Sequence, residues 1–307
     1  MLNRSACPIT GDTNGLVEKI RLPYDSGFLG GWTERRKWGK WLRGLDYRVW
    51  YVPATDFYFQ ESVFDDDEEA LRRENIASRL AKNAEQNRRE YSLTELSHKA
   101  EDAMLIRLLH PGKSCPKVFD FGMATGEWAL MAKAYGSEVW GTDLDPRAPD
   151  ACAAHGIRFT TLEEAPEGGF DFINADQVFE HLPQPLEIGR ILANKLAPGG
   201  ILKLTTPRDR RIEAKLERLK QGGYDDLAVF EREFFPLSPL SHINLFTARS
   251  LIELGERLGL EPFRVPLRQC YATMTGFHSA RQWNRNLYNP LKRYLAKGTW
   301  QFFRKPA

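Results

Sequence analysis

The chain has 307 residues, 42% hydrophobic and 27% charged, the composition of an ordinary globular protein with one core domain and additions. Its 43 Lys and Arg against 41 Asp and Glu leave a net charge of +2, so bulk charge makes no case for a nucleic-acid partner. Four scattered cysteines (Cys7, Cys115, Cys152, Cys270) form no C-x-x-C pair, no apolar run is long enough to span a membrane, and the N-terminus lacks a signal-peptide core. These features argue against a disulfide framework, a zinc cluster and a spanning helix, and a reduced, cytoplasmic protein is expected.

Residues 1–60 are rich in aromatics, Gly and Arg, a texture that predicts short strands and turns rather than a long helix. From Asp65 to Tyr91 acids lead and bases follow without Gly or Pro, which suits a helix dipole. A second helix is predicted from Leu93 to His110, with Ala103, Leu105, Ile106 and Leu109 on its buried face and Pro111-Gly112 ending it. Short apolar runs then alternate with helical segments. The predicted strands are "KVFDF", "EVWGTD", "IRFTT", "FDFINA" and "ILKLTTP"; the helices between them are "GEWALMAKAYG", "PRAPDACAAHG" and "PLEIGRILANKLAPGG". Such alternation means an α/β fold with a mostly parallel sheet and helices on both faces. An insertion at 209–240, with a helix and several aromatics, reads as a mobile lid; Tyr224, Phe230, Phe234 and Phe235 are candidates to line an acceptor pocket. A helix "ARSLIELGERLGL" follows, and "FRVPL" and "CYATMT" are expected to pair as antiparallel strands at the sheet edge.

In an open parallel sheet, ligands sit beyond the carboxyl ends of the strands. The loop after the first strand, "DFGMATGEW", therefore carries the first functional question. A P-loop needs Lys-Ser or Lys-Thr, which is missing. A dinucleotide fingerprint fails at Ala124 and again at Glu127. The S-adenosylmethionine loop, Asp/Glu-x-Gly-x-Gly-x-Gly, fits with Asp120, Gly122, Ala124 and Gly126 in its four places. That cofactor has no phosphate to wrap, so alanine is acceptable provided its φ is negative. Asp143, at the end of the next strand, is placed to accept hydrogen bonds from both ribose hydroxyls.

With these motifs the sequence resembles the class I S-adenosylmethionine-dependent methyltransferases, from about Val118 to Leu267. The resemblance rests on "VFDFGMATGEW", "VWGTDLDP", "FDFINADQVFEHLPQPLEIGRILANKLAPGGILKLTTP" and "SHINLFTARSLIELGERLGL", in that order. The pattern is similar to the branch of ubiquinone-pathway, sugar and natural-product methyltransferases. It implies a Rossmann-like sheet with an antiparallel C-terminal strand and S-adenosyl-L-methionine as cofactor. The division expected is an N-terminal extension or cap at 1–64, a helical segment at 65–110, the cofactor-binding domain at 111–280 and a basic aromatic tail at 281–307. Some relatives open with a zinc-binding Cys-Pro-x-Cys-Gly; here only Cys7 remains and Val52 and Thr55 stand near a later pair, so the extension reads as a decayed zinc module or as unrelated.

Methyl transfer needs an aligned acceptor and, for a hydroxyl, removal of its proton. The segment after the fourth strand supplies Asn174, Asp176 and Gln177 toward the cofactor and Glu180 and His181 toward the chemistry. His181 is either a general base or a structural residue at a helix start. His242, in "SPLSHINLFT", is the second candidate. In ubiquinone-pathway relatives acids and a His in this segment can hold a divalent metal. Gln177 stands here where an acid is expected, so no metal is assigned. The basic and Trp-rich "ERRKWGKWLR" and the tail, with Leu291, Tyr294 and Leu295 at helical spacing, are read as packed or solvated faces; stacking on a ligand and a peripheral membrane contact are the sharper alternatives. The function expected is methyl transfer, chiefly to oxygen, on a small-molecule or glycan acceptor, including a lipid-linked one. The alternatives are a non-catalytic binding module and, less favoured, a nucleic-acid methyltransferase, because "NADQ" replaces the Asp/Asn-Pro-Pro-aromatic motif.

Overall fold

The computed structural model describes residues 1–64, 93–275, 279–295 and 298–307. The helix expected over 65–91 lies outside the described residues. Seven strands form the central sheet: β6 (Lys117–Phe121), β7 (Glu138–Thr142), β8 (Arg158–Phe159), β9 (Phe170–Asp176), β10 (Leu196–Thr205), β12 (Glu261–Pro262) and β13 (Trp300–Arg304). Their spatial order is β12-β13-β10-β9-β6-β7-β8. Strands β6 to β10 run parallel, and β13 is antiparallel to both β10 and β12. From β6 the chain runs outward to β7 and β8, then returns to build β9 and β10 on the other side. The switch point therefore lies between β6 and β9, the place where open sheets of this kind bind their ligands.

Alternation along each strand divides the core into two layers. Val118, Phe172, Ile201 and Phe302 face the helices α3 (Leu93–Leu109) and α4 (Glu127–Ala134), with Leu105, Ile106, Trp128 and Ala129. Phe119, Ile173, Leu202 and Phe303 face the opposite side, with Leu192 of α6 (Pro185–Lys195) and Leu251 and Leu254 of α9 (Ala248–Arg257). The remaining helix of this α/β unit, α5 (Ala148–His155), precedes β8.

The antiparallel C-terminal strand is present, but not where the sequence placed it. "FRVPL" is not a strand, and "CYATMT" falls on and after α10 (Leu267–Ala272). The tail supplies the strand instead, as Trp300–Arg304, with Phe302 and Phe303 buried. It follows α11 (Ala280–Tyr294), on which Leu291 is exposed and Tyr294 half-buried.

The N-terminal region forms a second sheet, ordered β11-β4-β3-β2, from β2 (Val17–Pro23), β3 (Asp46–Val52), β4 (Phe57–Gln60) and β11 (Asn244–Leu245). A short β1 (Leu2–Asn3) pairs with β5 (Ser62–Val63). Contrary to the strand-and-turn expectation, "GFLGGWTERR" is a helix, α1 (Gly27–Arg36), followed by the short α2 (Gly39–Leu42). Three glycines weaken its intrinsic propensity, but burial of Leu29, Trp32 and Thr33 outweighs that. In "ERRKWGKWLR" the Arg36 guanidinium lies over Trp32 and Trp38 and pairs with Glu231, so these cations and rings hold the fold together. The insertion forms α7 (Ile212–Lys220) and α8 (Leu227–Glu233), which pack on this sheet. Tyr224, Phe230 and Phe234 are buried against Phe28, Trp32 and one another, so they are core residues rather than pocket walls; only Phe235 is exposed.

One buried cation ties the two sheets together. The Arg4 guanidinium donates to the carbonyls of Gln60 (2.6 and 3.0 Å) and Ile243 (2.9 Å) and to Asn244 Oδ1 (2.8 Å). Asn244 in turn donates to the carbonyls of Phe179 and Leu182 in the loop after β9. Arg4→Met would leave several buried carbonyls without donors and is expected to cost on the order of 3 kcal/mol. Urea unfolding followed by circular dichroism should show a lower midpoint with an unchanged slope.

Candidate active site

The loop between β6 and α4 lies at the switch point. Gly122 and Gly126 have φ of 81° and 84°, and Ala124 between them has φ of 50°. The expectation of a negative φ at Ala124 is therefore overturned. The backbone takes the left-handed region because the Ala124 amide donates to Asp143 Oδ2 at 2.7 Å, while the Gly122 and Met123 amides both donate to the Thr142 carbonyl. Ala124 is exposed, and the cost is conformational, roughly 1 kcal/mol. Gly122 is different: a Cβ there would lie 2.3 Å from Val178 Cγ2. Val178, after β9, thus packs directly on the loop between β6 and α4.

Asp120 is buried and accepts from Asn174 Nδ2 at 2.8 Å; its second oxygen has no partner among the described residues. Burial pushes its carboxyl up to about 7, against the lowering effect of Asn174. The register explains the pair, since Asp120 lies opposite Asn174, and Asn174 opposite Lys203. Asp176 accepts the Thr205 hydroxyl and lies 3.8 Å from the Lys203 ammonium. Gln177 follows with φ of 58°, exposed at the end of β9. Asp143 takes two amides, Ala124 on Oδ2 and Asp145 on Oδ1, each at 2.7 Å.

Glu180, His181 and His242 come together from two loops. Residues 179–181 form a single 3-10 turn after β9, and the His181 amide donates to the Val178 carbonyl. His181 Nδ1 meets the Ser241 carbonyl at 2.7 Å, which requires a proton on Nδ1. The His181 and His242 rings stack edge to face at 4.6 Å, and Phe235 covers His242 from beyond at 4.5 Å. Glu180 is fully buried, its carboxylate oxygens have no hydrogen-bond partner among the described residues, and burial pushes its carboxyl up to about 8.

One ligand atom from each of Glu180, His181 and His242 lies within 4.8 Å of the others. The sequence reading placed only two of them in such a set. One carboxylate and two imidazoles suit a divalent transition ion better than magnesium, and Gln177 is not part of the group. The orphaned carboxylate of Glu180 fits such an ion, which would supply its missing countercharge. Cys7, Val52 and Thr55 are buried, and no zinc-binding group forms around Cys7 among the described residues.

Sequence reasoning missed a buried polar group beside the crevice. Lys203 pairs with Asp102 of α3 at 2.5 Å, and Arg293 of α11 shares that carboxylate at 3.1 Å. Burial alone would raise Asp102, but Lys203 and Arg293 together hold it below the usual range; burial would lower Lys203, but Asp102 and Asp176 hold it above. The signal available was a lysine inside the apolar strand "ILKLTT".

Two outcomes follow from this geometry. Gly122→Ala should abolish cofactor binding in calorimetry, whereas Ala124→Gly should bind as wild type and gain up to about 1 kcal/mol in stability from relieved strain. In chelator-treated protein, Glu180 holds its proton to about pH 8 when folded and releases it near 4.5 when unfolded. The folded state then binds more protons across that window, so stability falls as pH rises through it. Thermal melts between about pH 5 and about pH 9 should show that decline, and Glu180→Gln should flatten it.

A family model described as a methyltransferase domain matches residues 68–265. A ubiquinone biosynthesis O-methyltransferase of Xanthomonas campestris pv. campestris (strain B100) is 31% identical over 116 residues, 34% of this chain and 47% of that one. The corresponding protein of Xanthomonas oryzae pv. oryzae (strain PXO99A) is 32% identical over 101 residues, 29% of this chain and 42% of that one. The chain thus spans less than half the length of these relatives. Among solved structures, Burkholderia thailandensis 1,6-didemethyltoxoflavin-N1-methyltransferase, with bound 1,6-didemethyltoxoflavin and S-adenosylhomocysteine, is 17% identical with a TM-score of 0.44, covering 84% of this chain and 99% of that one. The family match spans well over half of the sequence, and the chain belongs to the class I S-adenosylmethionine-dependent methyltransferases.

Proposed function

We propose that the chain transfers the methyl group of S-adenosylmethionine to a hydroxyl of a small-molecule acceptor. The observation that carries this reading is the histidine pair one turn from the cofactor loop, with Val178 packed on Gly122 and His181 bonded to Val178. In this reading the loop from Gly122 to Gly126 faces the amino acid and ribose. Asp143 exchanges an amide for the ribose hydroxyls, and Leu144, 67% exposed beside it, offers the adenine an apolar face. Asp176 and Gln177 meet the methionine end.

The acceptor oxygen attacks the sulfonium methyl in line. The carbon–sulfur bond breaks, its electron pair stays on sulfur as S-adenosylhomocysteine, and the hydroxyl proton passes to His181 Nε2. The Ser241 carbonyl orients that imidazole and stabilises its protonated form. His242 packs against His181 and positions it, backed by Glu180. The ubiquinone-pathway relatives support oxygen as the target atom. A second reading, favoured by the clustering of the three ligand atoms, places a divalent ion on Glu180, His181 and His242, where it would act as a Lewis acid toward the acceptor.

Calorimetry with S-adenosylmethionine and transfer of labelled methyl to a panel of phenols and sugars test the proposal. His181→Asn is expected to lower turnover by about 10²-fold or more with cofactor affinity kept. Absence of cofactor binding at millimolar concentration would leave only a non-catalytic module. Full turnover in both His181→Asn and His242→Asn would remove them from the chemistry, and loss of activity on chelation with recovery by one metal would favour the second reading.

A further inference from the structure

A cavity of about 310 Å3 opens beside the cofactor crevice, on the α3 face of the sheet. Its walls come from the ends of β9 and β10, the start of β13, and helices α3 and α11. Two buried cations, Lys203 and Arg293, line it and share one buried carboxylate, Asp102. Both oxygens of Asp102 are occupied, Oδ2 by Lys203 and Oδ1 by Arg293.

The donors are in surplus. Arg293 Nη1, Thr206 Oγ1 and Trp300 Nε1 are all buried without a partner among the described residues, and Arg293 and Thr206 are only 6% and 4% exposed. His98 adds a further donor: its Nδ1 lies 2.7 Å from Arg285 Nη2 and must accept there, so its proton sits on Nε2. Burial and the Arg285 charge lower its pKa, which keeps the ring neutral. Two carboxylates line the cavity as well: Asp102, with both oxygens taken, and Asp176. Asp176 gives Oδ1 to the Thr205 hydroxyl, turns its charge toward Lys203, and is 46% exposed, so solvent screens it. Unsatisfied buried donors beside shared cations are costly unless an acceptor-rich anion joins them.

We propose that this cavity is an oxyanion subsite that takes a carboxylate carried by the methyl acceptor, with Trp300 supplying a flat apolar wall. The inference rests on the methyltransferase reading and deepens it: the substrate is an anionic small molecule. The cofactor's own methionyl carboxylate has the same chemistry, so the test separates the two sources.

Phenylacetate, and its neutral isostere phenylacetamide, are titrated calorimetrically into the full chain with and without saturating S-adenosylhomocysteine. The expected result is that phenylacetate binds the loaded protein at least tenfold more tightly than phenylacetamide. Trp300→Phe and Thr206→Val each delete one donor, the second at near-constant volume; both should weaken phenylacetate about tenfold while leaving phenylacetamide and S-adenosylhomocysteine affinity unchanged, and Thr206→Val should keep the melting temperature. Displacement of phenylacetate by S-adenosylhomocysteine would assign the subsite to the cofactor and overturn the proposal. Equal affinity for the two probes, unaltered affinity in both variants, or no binding of phenylacetate at tens of millimolar would overturn it as well. Failure of S-adenosylhomocysteine itself to bind would instead count against the underlying methyltransferase reading.

Discussion

A lysine ammonium buried in the face of a β-sheet is the constraint around which the crevice is organised. Lys203 sits near the C-terminal end of β10, 1% exposed, where a charge survives only if paired. Its partners cannot be local, because strand neighbours alternate to the other face. Asp102 must come from α3 and Asp176 from β9, and the sharing of Asp102 with Arg293 draws in α11. One charge therefore fixes the approach of two helices to the sheet and holds the C-terminal ends of β9 and β10 together. Trp128 and Trp300 flank the ammonium and keep water from it. The same pairing leaves donors over, which is why this cavity is chemically one-sided.

Arg4 does for the opposite face what Lys203 does for this one, by different means. It finds no carboxylate among the described residues, only carbonyl and amide oxygens, and so acts as a five-donor clamp on loops that have no regular structure of their own. Through Asn244 it reaches the turn that carries Glu180 and His181, and through Ile243 the residue after His242. Two histidines 61 positions apart in the chain are thereby held ring to ring. The N-terminal region thus has a mechanical role at the site even though it supplies none of its reactive groups.

The parallel sheet was legible because short apolar runs alternate with helical segments, and the loop after β6 was legible because its glycines have steric reasons, as Val178 against Gly122 shows. The errors share a cause: tertiary contacts overrode local texture. "GFLGGWTERR" looks like turn material until Trp32 finds its aromatic neighbours. "WQFFR" looks like a basic tail until Phe303 packs on Gly255, where a Cβ would lie 2.1 Å from the ring. Ala124 was judged by its side chain, whereas its φ is set by where its amide must point. The meeting of Asp102, Lys203, Arg293 and Trp300 was unreadable because it depends on register and helix docking, which no single segment encodes.

The charge pattern that results suits the loss of a cation in the reaction. Methyl transfer turns a sulfonium into a neutral thioether, so a fixed anion near sulfur stabilises the starting state more than the transition state. Burial raises Asp120 and Glu180 to about 7 and about 8, so near neutrality much of their charge is withheld. Their desolvation then costs less, because a neutral carboxyl tolerates burial that a carboxylate does not. Asp143 and Asp176, which the proposed reading turns toward the cofactor, are more open to solvent, where their fields are screened. In the proposed reading, acids at the surface capture the sulfonium, while the buried acids, with part of their charge withheld, hold it back less.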